Sequence, residues 1–477
     1  MENLVSCTEG TEGPDFSHLP EVAWVRVLRF LAMKDRMSVS ETCHILHEIF
    51  NHPSLWYSQK LIFMGECDNF SRRARRVFSG ANYVELVKRY GHCFQDLMIQ
   101  VMGHFTDIPN DLKDVLSQIS DKCRLESLTI DAGVVTSRFH ERYGYPPKSE
   151  GVKALADFVR NAYKMKHLHI KSWPMYNKMD TDECNIFKVL ISNEKLHRTL
   201  ETLVIFGIEE TEWSEREPKL FSDPSTTLNL MTKFKNITTL GLRSFMLSND
   251  LILTLSEPDR TKLDVLNILV HYIRQDPHEH REFQVPNIRP SSWSALSQRN
   301  PKFRVECTIF LQTPDVELSN MLSPEVPLSS LVFMKYSKID PQTLFRAYTH
   351  HANTIVKFRS FCDSYDLDSE VLTLNQRCTK LNEFVYHGEI HSNTVVDLAQ
   401  SKGVKWNRFE VRREKIKVPT EFDEYGEDDV LARDASGQLV SVALMKFHQP
   451  EEEKDAHIAN MTSQVSSALD VPWRPNE

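Results

Sequence analysis

Apolar residues recur along most of the chain in short units of the form apolar-x-x-apolar-x-apolar. The nine units are Phe94/Leu97/Ile99, Leu125/Leu128/Ile130, Met165/Leu168/Ile170, Leu200/Leu203/Ile205, Ile237/Leu240/Leu242, Leu263/Leu266/Ile268, Leu328/Leu331/Phe333, Leu381/Phe384/Tyr386 and Trp406/Phe409/Val411. The alternation of the last two positions predicts a short strand with one buried face, and parallel stacking of such strands buries a continuous core. Two wider gaps contain weaker strands, at residues 305–311 and 354–358.

Helices are predicted between these strands, wherever apolar residues recur every three to four positions. The clearest helix lies in GVKALADFVRNAYKMKHL, and its apolar stripe is Val152, Leu155, Phe158, Val159 and Tyr163. Strands that alternate with helices over residues 94–415 favour an α/β solenoid with a parallel sheet. An ordinary α/β domain with parallel strands has the same apolar units, so the pattern alone leaves both architectures open.

A different pattern occupies residues 19–56, LPEVAWVRVLRFLAMKDRMSVSETCHILHEIFNHPSLW. Apolar positions at helical spacing follow the Leu-Pro start and predict a first helix. A second helical stretch begins with Asp35 as its candidate N-cap, and Pro53 starts a third helix that carries Leu61 and Ile62. Three helices this short bury little surface, so the pattern predicts an external apolar partner.

Read in order, this string resembles an F-box. The matching positions are Leu19, Pro20, Glu21, Val22, Val25, Leu28, Phe30, Leu31, Lys34, Asp35, Ser40, Cys43, Pro53, Leu55 and Trp56. The string departs from the family pattern at Ala32, Arg36, Thr42 and Leu46. The resemblance implies docking on the Skp adaptor and, through it, on a cullin. The implied adaptor contacts, or the packing behind them, are Leu19, Pro20, Val25, Leu28, Leu31, Val39, Cys43 and Trp56.

The apolar units of residues 94–415 are similar to leucine-rich repeats, which stack into a horseshoe. Regular repeats carry Asn or Cys at a turn position that here holds Gly133, Trp173, Ile208 and Phe245. We therefore expect an irregular solenoid with long insertions.

In a horseshoe, the strand residues that flank the third apolar position face the concave side. Here they are Thr129, His169, Lys171, Val204, Phe206, Gly241, Arg243, Val332, Met334, Val385, His387, Glu410 and Arg412. The resemblance implies that this side binds a protein client, and we expect an exposed apolar patch with an arginine rim. The expected patch is Val204, Phe206, Arg243, Val332, Met334 and Val385. An insertion after Glu209, or the strand near Val440, that folded over these residues would instead make them core.

The predicted organisation has five parts. They are a flexible N-terminus at 1–17, the F-box at 18–64, a helical linker at 65–93, the repeat domain at 94–415 and an acidic tail at 416–477, disordered from about residue 449. The linker contains a basic run, SRRARR, with Arg72, Arg73, Arg75 and Arg76. This run is either a nuclear import signal or the solvated face of a helix.

Composition narrows the classes of partner. The 477 residues carry a formal charge of −9, which gives no general attraction to nucleic acid. The nine cysteines are scattered without a Cys-x-x-Cys pair and predict reduced thiols, in the cytoplasm or the nucleus. No apolar stretch is long enough to span a bilayer, so we expect a soluble protein with no membrane partner.

Motifs for catalysis or cofactor binding do not occur in the sequence: it has no phosphate loop, no dinucleotide fingerprint and no nucleophile elbow. The closest candidates for metal ligands are the pairs Cys43/His47, His278/His280 and His350/His351. The first pair has no further ligand at suitable spacing, the second lies in a polar loop that favours solvated histidines, and the two residues of the third point to different sides. We expect no metal, no cofactor and no catalytic residue.

Two functions remain after these exclusions. The first, implied by the F-box resemblance, is the substrate-recognition subunit of an SCF-type ubiquitin ligase, which tethers a protein client to the Skp adaptor and cullin for ubiquitination. The alternative is a non-degradative scaffold that binds the adaptor and delivers no substrate.

Overall fold

The chain folds into two compact units, which are residues 1–200 with 216–219 and residues 201–215 with 220–477. The computed structural model describes residues 19–31, 33–64, 80–102, 110–132, 150–173, 183–207, 223–271, 286–310, 318, 321–335, 337–364, 366–402, 405–418, 431–433, 439–441 and 451–476. The basic run at 71–76 and the pair His278/His280 lie outside the described residues.

Three short helices open the first unit. They are α1 (Glu21–Phe30), α2 (Met33–Ser40) and α3 (His44–Phe50), followed by a 3-10 turn at Pro53–Trp56. α1 begins directly after Pro20, as the Leu-Pro start predicted. Cys43 lies in an extended conformation between α2 and α3, so the predicted second helix is divided into two.

Residues 58–64 form a strand, β1 (Ser58–Met64), and not the predicted helix carrying Leu61 and Ile62. The buried positions alternate along it and are Gln59, Leu61 and Phe63. A period of two fits a strand and not a helix. β1 pairs in parallel with β2 (Asp96–Met102), so the sheet begins before residue 94.

The rest of the first unit alternates helices and strands. Its further elements are α4 (Gly80–Tyr90), α5 (Asn110–Lys122), β3 (Ser127–Asp131), α6 (Glu150–Asn161), β4 (His167–Ser172), α7 (Ile186–Ser192) and α8 (Glu194–Thr199). Strands β2, β3 and β4 pair in parallel in chain order. The α6 stripe is buried as predicted, whereas Tyr163 lies beyond the helix end and is exposed.

The second unit continues the same alternation. Its elements are β5 (Thr202–Val204), α9 (Pro224–Lys233), β6 (Thr239–Arg243), α10 (Asn249–Leu255), β7 (Val265–His271), α11 (Pro290–Arg299), β8 (Arg304–Phe310), β9 (Leu328–Phe333), α12 (Pro341–His350), β10 (Lys357–Ser360), α13 (Asp368–Arg377), β11 (Glu383–Tyr386), β12 (Ile390–His391), α14 (Ser392–Lys402), β13 (Arg408–Val411), β14 (Ile416–Lys417), β15 (Leu431–Arg433), β16 (Leu439–Ser441) and α15 (Glu451–Leu469).

Strands β5 to β11 pair in parallel in chain order, and β13 pairs in parallel with β11. The two small pairs, β12 with β14 and β15 with β16, are separate. All nine apolar units lie at strands, and the two weaker predicted strands correspond to β8 and β10. This repeated order of strand and helix confirms the predicted α/β architecture with a parallel sheet.

Regular leucine-rich repeats use an Asn or Cys side chain at each turn to bind backbone groups. Here, long polar side chains partly replace it by donating to backbone carbonyls of the preceding repeat. Asn193 donates to the carbonyls of Val159 and Ala162 at 2.9 and 3.0 Å. Arg260 donates to the carbonyls at the end of α9 in the same way. Lys402 binds two carbonyls after α13, and burial lowers its pKa to about 8. Such bonds satisfy helix ends that would otherwise lack partners.

The end of the chain differs from the expected disordered tail, because residues 451–469 form the helix α15. Its buried positions recur at three- and four-residue steps and are Ile458, Met461, Val465 and Leu469. This stripe packs on α14. Trp473 then donates its indole N–H to the Phe409 carbonyl at 3.0 Å. Asn476 forms an isolated parallel β-bridge with Arg412, directly after β13. The C-terminal segment therefore packs beside β13, the strand at the end of the large parallel sheet.

Candidate functional site

The three N-terminal helices have a small core of their own, centred on Trp56. The Trp56 ring stacks on Tyr90 at 3.9 Å and meets Phe50 edge-on at 5.1 Å. Its indole N–H donates to the Phe50 carbonyl at 3.0 Å. Val25 and Leu28 on α1 are buried in the same segment. These contacts fix the helices against one another and against α4, which carries Tyr90.

Arg36, one of the departures from the family pattern, is also buried in this segment. Its guanidinium donates to the carbonyls of Leu28 at 3.0 Å, Leu31 at 3.2 Å and Leu55 at 3.4 Å. Burial, with a smaller contribution from Arg29, lowers the pKa of Arg36. Arg36 therefore ties the end of α1 to the 3-10 turn, a role that a leucine could not perform.

Large apolar side chains on the same helices face solvent. Phe30 is 90 % exposed, Val22 is 69 % exposed and Ile45 is 50 % exposed. The other exposed apolar residues here are Leu19, Val27, Met37 and Tyr57. Val25 and Leu28 on α1 pack inward, whereas Val22 and Phe30 on the same helix are exposed to solvent. We call this set of seven exposed residues the F-box face.

The predicted adaptor residues divide between this face and the core behind it. Leu19, Pro20 and Cys43 are exposed, and Leu31 and Val39 are half-buried. Val25, Leu28 and Trp56 are buried. Phe30 and Val22 match the family pattern but are not among the predicted contacts. Phe30 lies on the side of α1 away from Val25 and Leu28, whereas Val22 lies one turn before Val25 on the same stripe, so only the structure shows that Val22 is exposed.

The predicted apolar client patch is wrong, because the structure buries most of it. Phe206, Arg243, Met334 and Val385 are buried, and only Val204 and Val332 are half-buried.

Close packing around Gly241 explains the burial of the first part of the patch. A β-carbon at Gly241 would lie 2.7 Å from Cγ1 of Val204 and 3.1 Å from the ring of Phe206. The absence of a side chain at Gly241 thus lets both residues pack down onto β6.

We predict that Gly241→Ala destabilises the protein by about 1–3 kcal/mol, since the added methyl overlaps Val204. Urea unfolding of the purified chain measures the change. In the double variant Gly241→Ala/Val204→Ala the overlap is removed, so the cost of adding the methyl should be smaller than in the wild-type background. An equal cost in both backgrounds would contradict the packing explanation.

Val385, in the other part of the patch, lies between charged side chains. Its register partners are Arg359 on β10 and Glu410 on β13. Long charged side chains cover apolar neighbours with their aliphatic stems, and Val385 is fully buried. The described strand face is therefore charged here rather than apolar.

A set of ion pairs crosses this strand face from β8 to β13, and we call it the charge ladder. Its members are Arg304, Glu306, Lys357, Arg359, Glu383, Arg408 and Glu410. Within it, Glu383 binds Arg359 and lies 3.8 Å from Arg408. Glu410 accepts hydrogen bonds from Arg408 and lies 3.1 Å from Nε2 of His387. Burial disfavours the charge on Glu410, but the bonds from Arg408 and His387 outweigh it and hold the pKa of this carboxyl below its ordinary value.

Within the described residues, no group of three or more His, Cys, Asp or Glu could hold a metal ion. His351 is buried, its pKa lowered to about 4 by burial, and its neighbour His350 is exposed. None of the helices in the described ranges has the length and apolar character needed to cross a membrane.

Comparison with known proteins agrees with the N-terminal geometry. The family model described as F-box-like matches residues 16–61. Two curated relatives are both named F-box/LRR-repeat protein 21. The one from Bos taurus is 20 % identical over 87 % of this chain and 86 % of its own length, and the one from Ovis aries is 23 % identical over 92 % and 90 %.

A solved structure, the leucine-rich repeat-containing protein LegL7 from Legionella pneumophila, covers 87 % of this chain and 99 % of its own, with 12 % identity and a TM-score of 0.34. The assignment of the fold rests on the strands of this chain, which pair in parallel and alternate with helices. The chain therefore has an F-box-like segment at residues 16–61, a parallel repeat sheet, and similarity over most of its length to two F-box/LRR-repeat proteins.

Proposed function

We propose that the chain is the substrate-recognition subunit of an SCF-type ubiquitin ligase. In this proposal the F-box face docks on the Skp adaptor, the adaptor holds a cullin, and the second unit holds a protein client. The observation that carries the proposal is the exposure of Phe30, Val22 and Ile45 on the helices of an F-box-like segment.

The energetics of the F-box face support docking on an apolar partner. A large apolar side chain gains about 1.5–3 kcal/mol when it passes from water to a buried position. Phe30 and Val22 lie two turns apart on α1, and Ile45 lies on α3. A few buried anchor residues, among which aromatic side chains are prominent, supply most of the binding energy at protein interfaces.

The chain itself performs no bond chemistry in this proposal. Its contribution is proximity: a tether raises the concentration of client lysines near the conjugating enzyme without any new catalytic group.

The test is affinity purification of the tagged full chain from cells under proteasome inhibition, combined with protein abundances after its removal. We expect the Skp adaptor and a cullin to copurify, and at least one copurifying protein to accumulate when the chain is absent. Adaptor without cullin, and no accumulating protein, would favour the scaffold alternative. Absence of the adaptor itself would contradict both.

A further inference from the structure

Two of the three carboxylates of the charge ladder are shielded, whereas its cations are more open; the third carboxylate, Glu306, is 29 % exposed. The side chains of Glu383 and Glu410 are only 12 % and 16 % exposed. The two arginines that bind them are more open, with Arg359 at 31 % and Arg408 at 44 %. A partner that approaches this face therefore meets guanidinium groups first, and the acidic residues act mainly as supports beneath them.

Glu383 and Glu410 restrain the side chains of Arg359 and Arg408. Arg359 donates to Glu383 through Nε and Nη2, and Arg408 donates to Glu410 through the same two nitrogens. Each guanidinium has five N–H donors in a planar fork, which suits binding to carboxylates. An arginine already held by a buried carboxylate loses less side-chain freedom on binding than a free one.

The register places Lys357 and Arg408 in one row across the sheet, on either side of Glu383. Lys357, Glu383 and Arg408 are direct neighbours on β10, β11 and β13. Adjacent strands lie about 4.8 Å apart, so Lys357 and Arg408 are about 10 Å apart at the backbone, with Arg359 one pleat further along β10. This spacing corresponds to about three residues of an extended peptide.

We propose that Lys357, Arg359 and Arg408 of the charge ladder bind an acidic segment of the client protein, through its carboxylates. This rests on the proposed function, in which the second unit holds the client, and it names the chemistry of that client. The chain as a whole carries a charge of −9, so only a local cationic surface of this kind attracts an acidic segment.

The test uses the purified full chain and fluorescein-labelled octaglutamate, with a Gly-Ser peptide of equal length as the neutral probe. We expect octaglutamate to bind and the Gly-Ser peptide not to bind, as read by fluorescence anisotropy. Binding should weaken at least tenfold between about 50 and 300 mM salt, because the attraction is between charges. Equal binding of the neutral peptide would overturn the proposal.

The ladder variant is Arg359→Gln with Arg408→Gln, which removes two charges and retains amide donors for Glu383 and Glu410. We expect it to weaken octaglutamate binding about tenfold or more. The matched control is Arg377→Gln with Lys380→Gln, two exposed cations at the end of α13 and just beyond it. This control makes the same change in net charge and should alter binding less than twofold. Equal losses in both variants would overturn the proposal.

Two further readouts separate this proposal from others. The ladder variant should capture the Skp adaptor normally, so loss of the peptide with retained adaptor capture supports an acidic-segment site on a folded chain. Failure of the chain to recruit a cullin would count against the ligase role alone, since peptide binding is measured without a cullin.

Ultracentrifugation tests the other occupant, a second copy of the chain: dimers that disappear in the ladder variant would overturn the proposal.

Discussion

Phe30→Asp should reduce capture of the Skp adaptor by at least about 100-fold while leaving the chain folded. Phe30 is the most exposed large apolar residue described, so an aspartate is solvated in the free protein. On docking, its carboxylate would have to enter an apolar interface without a partner, at a cost of several kcal/mol. Each 1.4 kcal/mol is a factor of ten in affinity. Surface plasmon resonance with purified adaptor measures the change.

The matched control is Leu253→Asp, which places the same charge at an exposed apolar position on α10 in the second unit. It should leave adaptor capture within twofold of the wild type. Undiminished capture by the Phe30→Asp variant would remove Phe30 from the interface. Leu28→Asp is unsuitable as a test, because Leu28 is fully buried and the charge would disrupt the helices rather than the interface.

Trp56→Ala should destabilise the N-terminal helices by about 3–5 kcal/mol, the usual cost of removing a large buried aromatic side chain. The substitution removes the stack on Tyr90, the edge contact with Phe50 and the hydrogen bond to the Phe50 carbonyl. We expect faster hydrogen exchange in α1, α2 and α3, and a first urea transition at lower denaturant. The repeat strands of the second unit should keep their exchange protection.

Trp56→Phe is the graded control for this effect. A phenylalanine keeps an aromatic ring against Tyr90 but loses the indole N–H donor, so it should cost less than the alanine variant. An alanine variant with unchanged exchange would show that Trp56 does not hold the segment together. The two variants are complementary: Phe30→Asp should change adaptor binding without changing stability, whereas Trp56→Ala should change stability first and adaptor binding as its consequence.

The charged strand face shows where periodicity stops being informative. Alternation along β9 and β11 places Val332 and Val385 on the face opposite the core. It does not show that Arg359 and Glu410, from strands tens of residues away, flank Val385. Exposure of a strand residue depends on its cross-strand neighbours, which are set by register. The sequence therefore predicts the orientation of Val332 and Val385 but not their cross-strand neighbours.

The order of the C-terminal helix α15 also depends on contacts that the local pattern does not show. The stripe Ile458, Met461, Val465 and Leu469 is visible in the sequence as a helical pattern. Polar residues surround it, and its stability depends on an acceptor surface on α14 together with the contact of Trp473 with Phe409. A marginal amphipathic helix is ordered mainly by what it packs against.

The sequence by itself determined the order of strands β2 to β11 and β13 and the region of the N-terminal helices, because burial on one face leaves a period that can be read locally. The tertiary structure alone decided which side of α1 packs inward, since both sides are apolar and only the positions of α3 and Trp56 distinguish them. It also decided that Arg36 is satisfied by three carbonyls, that Phe206 packs over Gly241, and that arginines supported by buried glutamates line the strand face. Each of these depends on contacts between residues distant in the chain, which no local period records.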